Sequence, residues 1–292
     1  MTPVDGEPLT EAHRAELEPL LQARLEASGA PEDTPSDATF GNLLLFRDAH
    51  DWRLRRGPWA CIAGHAYDGV RLLLPLFELS EAPLDALRTL LQGYEAFGPL
   101  AEAERARLDP ALFTSEASRD DADYLYAAEA FRHYRGTLLQ KKANLVRQLL
   151  AAHRVDAEPY HEGLADEAIG VLRGWMDDKH KAPGETDDGP CGRALREAGA
   201  LGLDGTLHRI GGRAAGFVLA ERLREGVMVM RFAKALDAYK GLYQHMFQRF
   251  CVERPALQWL NFEQDLGLAN FRQTKLSYQP ARLVAKHRVR LR

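Results

Sequence analysis

The order of predicted secondary-structure elements occurs twice along this chain. Each half reads as helix, hairpin, apolar strand, helix and strand, judged from where apolar residues follow a helical or an alternating period. Asp68-Gly69 and Gly211-Gly212 lie between apolar runs and mark the two hairpin turns. This order predicts an α/β (α+β) fold in which each half forms a mixed sheet flanked by helices.

A length of 292 residues accommodates two domains of ordinary size. Pro159 interrupts the pattern near residues 155–160, so we predict one domain over residues 1–155 and another over residues 156–292. Only the element order repeats, because the two halves share no residue-level repeat. A hairpin followed by a central strand, a helix and another strand fits the acyltransferase (GNAT) fold, which predicts two tandem GNAT-like domains.

The charge of the chain excludes a general attraction to nucleic acid or to anionic membranes, since the net charge is −4. The distribution is uneven: residues 1–40 hold nine acidic and two basic side chains, whereas residues 281–292 hold five basic ones and no acidic one. The basic segment has two interpretations. It is either a strip that meets a phosphate-rich ligand or a solvated edge strand that its charges protect from pairing.

Several common functional signatures are missing from the sequence. Cys61, Cys191 and Cys251 are far apart, which gives no disulfide framework and no metal or redox spacing, so we expect a cytoplasmic protein. No run of about 18 apolar residues predicts a membrane span. The acidic, polar N-terminus does not read as a signal peptide. P-loop, dinucleotide and serine-hydrolase motifs are absent, and no histidine pair predicts a metal site.

Lys142 occupies an unusual place on a predicted helix over residues 134–152. Leu138, Leu145 and Leu149 form an apolar stripe, and at about 100° per residue Lys142 falls within it. An inward ammonium is costly unless it is paired or faces a cleft. The alternative is a lysine whose stem crosses the apolar surface so that its charge reaches water.

Polar residues follow the last apolar strand, predicted over residues 257–262. Asn261 and Glu263 share one face of the chain there, which suggests a pocket. Asp265 either caps a helix predicted over residues 266–275 or pairs with Lys275 at its end. Lys275 ends an apolar stripe, where it can meet a carboxylate, a phosphate or helix carbonyls, and a structural ion pair is the alternative.

Three segments resemble the bacterial family of phosphatidylglycerol lysyltransferase C-terminal-like proteins, which are built as tandem GNAT domains. The resemblance covers roughly residues 40–288. Its segments are FRHYRG at 131–136 with KKAN at 141–144, FAKA at 232–235 with YKGLY at 239–243, and NFEQDLG at 261–267 with Lys275, Ser277, Tyr278 and Pro280.

The resemblance implies a reaction class, because membrane-bound relatives use this module to transfer an aminoacyl group from charged tRNA to a lipid headgroup. It implies an acyl or aminoacyl donor and a hydroxyl or amine acceptor. We expect Glu263 or Tyr278 to relay a proton in a cleft between the domains, to which the first domain contributes Lys142. Further residues are expected to bind substrate: Lys142, Asn144, Lys234, Gly241, Asn261, Asp265 and Lys275.

Departures from the family limit this expectation. The chain lacks the membrane-spanning region of the full lysyltransferases, and its mild acidity disfavours tRNA at physiological salt. No R-x-x-G-x-G/A loop lies near residues 232–242, which disfavours acetyl-coenzyme A as the donor. We therefore predict a cytosolic acyl- or aminoacyl-transferase without an assigned cofactor or metal. The alternative is a non-catalytic tandem-GNAT module that binds a small metabolite or a protein partner. Donor, acceptor and oligomeric state stay open.

Overall fold

The computed structural model describes residues 4–292. Strands in this range are, in chain order, Glu7–Pro8 (β1), Arg53–Arg55 (β2), Cys61–His65 (β3), Arg71–Pro75 (β4), Ala96–Leu100 (β5), Phe113–Ala117 (β6), Asp123–Ala127 (β7), Val155–Pro159 (β8), Leu203–Ile210 (β9), Arg213–Arg224 (β10), Val227–Ala235 (β11), Trp259–Asn261 (β12), Arg282–Val284 (β13) and His287–Leu291 (β14).

The α-helices are shorter on average than the sequence pattern predicts. They are Arg14–Ala27 (α1), Phe40–Leu45 (α2), Arg47–His50 (α3), Leu84–Leu90 (α4), Glu102–Ala106 (α5), Ala128–His133 (α6), Gln140–Ala152 (α7), Ala165–Asp178 (α8), Asp188–Arg196 (α9), Leu242–Val252 (α10) and Ala269–Leu276 (α11). No helix within residues 4–292 has the length and apolar character needed to cross a membrane.

Two seven-stranded sheets share one plan. The first has the order β1-β2-β3-β4-β5-β14-β6, and the second has the order β8-β9-β10-β11-β12-β7-β13. In each sheet the first four strands are antiparallel, and the fourth is parallel to the fifth. The sixth strand comes from a distant part of the chain and is antiparallel to the fifth. The predicted repetition of mixed sheets flanked by helices is therefore confirmed.

The chain forms two compact units that are not the predicted ranges. Unit 1 contains the chain up to Tyr124 together with Gln264–Arg272 and Leu283–Arg292, and unit 2 contains Leu125–Glu263 and Gln273–Arg282. The second series of strands does begin with β8 at Val155, close to the predicted boundary. Residues 125–155 nevertheless belong to unit 2, because α6 and α7 pack against α10.

Strand β14 is internal to the first sheet, which corrects the interpretation of residues 281–292 as a solvated edge. It lies between β5 and β6, and Val289 is fully buried there. Three of the basic side chains pair with carboxylates: Lys286 lies 2.7 Å from Asp123, Arg288 lies 3.0 Å from Asp121, and Arg290 lies 2.8 Å from Glu116. The strand can carry these charges inside a sheet because each of the three meets a carboxylate.

The helix predicted over residues 134–152 begins later than expected, at Gln140, and then runs to Ala152 as predicted. Helix α6 ends at His133, and Tyr134 then takes a left-handed conformation with φ of 45°. Gly136 is also left-handed, and α7 begins only at Gln140. Left-handed residues end helices because they turn the chain away from the helix axis. Leu138 consequently lies outside the helix and is 69% exposed, so the predicted apolar stripe is shorter than expected.

Candidate functional site

Strands β11 and β12 of unit 2 separate soon after they meet. They pair in parallel over three positions, from Val227–Trp259 to Val229–Asn261, after which β11 continues to Ala235 and β12 ends. A register shift in β11 opposite β10 leaves Arg231 outside the regular pairing. In α/β sheets, ligands bind where the carboxyl ends of neighbouring strands diverge. The segment after β12 is therefore a candidate ligand site.

Glu263 is fixed in this segment by several contacts. Its backbone is left-handed, with φ of 57°, which is uncommon for a residue other than glycine. The Glu263 N–H donates to Oδ1 of Asn261 at 2.7 Å. Its carboxylate pairs with Arg231, whose side chain is fully buried, while Glu263 keeps 22% of its own side chain exposed. Backbone strain combined with a buried ion pair is frequent at functional sites.

Arg231 stays charged in the interior because it has two partners. Its guanidinium also lies 2.8 Å from the carboxylate of Glu221. Burial lowers the pKa of Arg231, but the charges of Glu221 and Glu263 outweigh burial, so that this pKa is raised above its ordinary value. The contact with Arg231 thereby gives the Glu263 carboxylate a defined orientation.

Lys275 holds the backbone of the same segment. Its Nζ donates to the carbonyl oxygens of Phe262 at 2.6 Å and Glu263 at 3.1 Å. The hydroxyl of Tyr126 in turn donates to the carbonyl of Lys275 at 2.8 Å. Of the partners considered for Lys275, the structure shows backbone carbonyls. They belong to the segment after β12 and not to the end of the helix. Lys275 thus orients the backbone on both sides of Glu263.

Lys142 faces inward, toward Ser277 and Tyr278. Its Nζ donates to Oγ of Ser277 at 2.8 Å and lies 3.9 Å from the centre of the Tyr278 ring. Burial lowers the pKa of Lys142, and among the residues that the structure describes no carboxylate charge opposes that shift. These contacts favour an inward lysine over one that extends past its neighbours into water. Among the described residues this half-buried ammonium has no carboxylate partner, which is costly and therefore favours a role with a ligand.

Tyr278 lies in an aromatic cluster that connects these groups. Its ring stacks on Phe131 at 5.5 Å between centres and lies 6.2 Å from Phe262, the residue before Glu263. Its hydroxyl accepts a hydrogen bond from Nε2 of Gln244 at 2.7 Å. Burial raises the pKa of Tyr278, so its hydroxyl stays protonated. Five predicted site residues lie in unit 2: Lys142, Asn261, Glu263, Lys275 and Tyr278. Lys142 contacts Tyr278, whereas Asn261 and Lys275 contact the backbone of Glu263.

Three other predicted binding residues of unit 2 make contacts elsewhere. Asn144 accepts a hydrogen bond from Gln140 at 2.9 Å along α7. Lys234 lies 2.6 Å from a carboxylate oxygen of Asp187 and 3.8 Å from the ring centre of Trp175.

Gly241 has a packing role instead. Its φ is 97°, and a Cβ there would lie 2.4 Å from the carbonyl oxygen of Leu145. Glycine at this position therefore lets the start of α10 approach α7 closely.

Asp265 belongs to unit 1 and does not cap the predicted helix, which begins at Ala269 and not at Leu266. It accepts hydrogen bonds from Nε of Arg272 at 2.8 Å and from the hydroxyl of Tyr124 at 2.5 Å. The bond from Arg272 is the largest cause that lowers the pKa of Asp265 well below its ordinary range. Asp265 thus holds the segment Gln264–Arg272 in place within unit 1.

Arg231 was not among the predicted site residues, although its position in the sequence is unusual. It is the one charged residue within residues 227–233, an otherwise apolar run in which an inward charge needs partners. Which carboxylates those partners are could not be predicted, because Glu221 and Glu263 lie outside β11.

The profile of the family described as "Phosphatidylglycerol lysyltransferase, C-terminal" matches residues 31–290. The chain belongs to this family. The match includes the segments after β12 and around Lys142, and it confirms the resemblance drawn from those residues. No curated protein matches the chain.

Solved structures support the same fold. A conserved protein of unknown function from Bacteroides thetaiotaomicron shares 21% identity with a TM-score of 0.78, and the match covers 100% of both chains. The C-terminal domain of a putative lysylphosphatidylglycerol synthetase from Agrobacterium fabrum shares 13% identity with a TM-score of 0.61, covering 96% of this chain and 92% of that one. L-PGS from Bacillus licheniformis shares 13% identity with a TM-score of 0.58, covering 97% and 92%. The fold is a tandem of GNAT-like domains, as predicted.

Proposed function

We propose that this family member is an acyl- or aminoacyl-transferase whose reaction takes place beside Glu263 in unit 2. Family membership and the tandem GNAT-like fold support the transferase class. The names of the relatives, which mention lysyl transfer and lysylphosphatidylglycerol synthesis, support an aminoacyl donor. The observation that carries the proposal is the strained, Arg231-bound Glu263 at the point where β11 and β12 separate.

Acyl transfer requires a group that removes a proton from the attacking amine or hydroxyl. Glu263 suits this role, because Arg231 orients its carboxylate while part of its side chain reaches solvent. The tetrahedral intermediate then carries an oxyanion that needs a positive charge or hydrogen-bond donors. Lys142 supplies such a charge, since no carboxylate within residues 4–292 neutralises it.

The remaining groups hold the site in shape. Lys275 and Asn261 form hydrogen bonds with the backbone of Glu263. The Tyr278 ring forms a cation–π contact with the ammonium of Lys142. Glu263, and not Tyr278, takes the proton of the acceptor, since the buried hydroxyl of Tyr278 binds Gln244. Four residues that the sequence predicted to bind substrate have no role in this reaction: Asn144, Lys234, Gly241 and Asp265.

A non-catalytic binding module is the second candidate. It is favoured by the internal contacts of Lys275 and Tyr278, which leave neither group free for chemistry as they stand. Both candidates predict ligand binding, and only the first predicts turnover.

The test is transfer of a labelled acyl group by the full chain. Aminoacyl-tRNAs, aminoacyl-adenylate analogues and acyl-coenzyme A thioesters serve as donors, with amines, amino acids and phosphatidylglycerol vesicles as acceptors. We expect Glu263→Gln to lower transfer by about 10²–10⁴-fold, the range for loss of a general base. Glu225→Gln, at an exposed turn of the same unit, is the matched control and should keep full activity. Ligand binding without turnover by the unaltered protein would favour the binding module.

A further inference from the structure

Ser277 has no role in the reaction above, yet its hydroxyl contacts the Lys142 that this reaction uses. We propose that Ser277 is a nucleophile activated by Lys142 and that the acyl group is carried on Ser277 as an ester before it reaches the acceptor. This inference rests on the proposed transferase class and replaces direct attack by the acceptor with a two-step route. Lys142 is the base in this route and becomes the ammonium beside the oxyanion when it takes the proton.

The geometry of the pair suits proton transfer. Oγ of Ser277 lies 2.8 Å from Nζ of Lys142, within the range for a nucleophile and its base. The hydroxyl also donates to the carbonyl of Thr274 at 2.6 Å, so its proton has one alternative acceptor and needs only a rotation about the Cβ–Oγ bond to face Lys142. Ser277 is partly exposed at the end of α11, where a donor can reach it.

Lys142 acts as a base only in its neutral form, which burial favours. The Tyr278 ring lies 3.9 Å from Nζ and interacts favourably with the charged form that Lys142 takes when it accepts the proton. Burial lowers the pKa of Lys142, and within the described chain this ammonium lacks the carboxylate that would restore it. A lysine that is only structural would more commonly form an ion pair, as Lys286 does with Asp123.

The steps balance without another reactant. Oγ of Ser277 attacks the carbonyl carbon of an ester or thioester donor, and Nζ of Lys142 takes the hydroxyl proton. The bond from that carbon to the leaving oxygen or sulfur breaks, and Lys142 returns the proton to the leaving group. An acceptor amine or hydroxyl then attacks the seryl ester, Lys142 takes its proton, and the proton passes to Oγ as Ser277 is released.

The probe is p-nitrophenyl acetate, which tests the acyl-enzyme without knowledge of the natural donor. We expect a burst of p-nitrophenol and one acetyl group per chain, located on Ser277 by peptide mass spectrometry and removed by hydroxylamine, as an ester is. Ser277→Ala and Lys142→Met should each lower the burst rate at least 100-fold. Ser80→Ala and Lys141→Met are the matched controls at exposed positions and should behave as the unaltered protein does.

The burst rate should also rise with pH as Lys142 loses its proton, a dependence that a structural hydrogen bond would not produce. Absence of an adduct on Ser277, or a hydroxylamine-stable adduct on Lys142 alone, overturns the inference. Full transfer by Ser277→Ala together with loss in Glu263→Gln also overturns it and leaves the proposed direct transfer in place. Acyl-Ser277 that forms but passes to none of the acceptors supports the inference and counts against the transferase.

Discussion

Arg231 is fully buried in strand β11 and forms an ion pair with Glu263, a residue in a left-handed conformation just after β12. The pair connects two strands that separate at this point. A second carboxylate, from Glu221, shares the same guanidinium. The interior of unit 2 therefore holds a charge network in which one cation serves two anions.

Arg231→Met should destabilise the protein strongly, because it leaves Glu221 and Glu263 without their cation. The expected loss in the free energy of unfolding is about 3–5 kcal/mol, the range for breaking a buried ion pair. Urea unfolding at neutral pH measures it. Arg222→Met, on the exposed side of β10, is the control and should change stability by about 0.5 kcal/mol or less. Equal losses in both variants would contradict the network.

Lys142→Met should lower transfer while changing the stability of the protein little. No carboxylate of the described chain is stranded by it, so only the hydrogen bond to Ser277 is lost, worth about 1 kcal/mol, and methionine tolerates burial. The melting temperature should stay nearly constant while transfer falls. A destabilisation as large as that expected for Arg231→Met would mean that Lys142 has an ionic partner.

Stability should fall in acid because of two buried histidines of unit 2. Burial is the main cause that lowers the pKa of His208 to about 3 and that of His245 to about 4, with the charge of Arg249 adding to both. The unfolded chain therefore binds more protons below about pH 6.5, and each histidine lowers stability by up to about 1.4 kcal/mol per pH unit between that value and its folded pKa. Above pH 6.5 the penalty vanishes.

Unfolding free energies at pH 7, 6, 5 and 4.5 check this effect. His245→Gln should flatten the acid slope relative to the unaltered protein. His153→Gln is the control, because His153 is partly exposed, and the slope should stay as it was. If the dependence of the unfolding free energy on pH is unchanged in His245→Gln, then groups other than His245 cause the loss of stability in acid.

Val289→Asp should unfold unit 1, because it places a charge at a fully buried position of the internal strand β14. The expected cost is several kcal/mol, on the order of an unpaired buried charge. Limited proteolysis should then cut within residues 4–124. Arg292→Asp lies at the exposed end of the chain and should leave the cleavage pattern unchanged.

Local patterns predicted the elements well, because each depends on nearby residues. Asp68-Gly69 and Gly211-Gly212 do lie at hairpin turns between β3 and β4 and between β9 and β10. The helical period also placed Lys142 facing inward, where it meets Ser277. The late start of α7 was missed because Tyr134, which the predicted helix included, is left-handed although it is not a glycine.

Long-range relationships were beyond the sequence. Nothing near Arg231 indicates that Glu221 and Glu263 converge on it, and nothing near Asp265 indicates Tyr124 or Arg272 as partners. The basic character of residues 281–292 predicted an edge, whereas acids distant in sequence allow β14 to lie inside a sheet. Pairing between remote segments is set by the fold as a whole.

The place of β14 sets an order of events during synthesis. Strands β1 to β6 are complete by residue 117, yet β14, which belongs between β5 and β6, is synthesised only after β7 to β13. Until residues 287–291 are available, β5 and β6 each keep one strand edge unpaired. Removing these few residues would therefore leave every other strand of the first sheet in place and still prevent that sheet from closing.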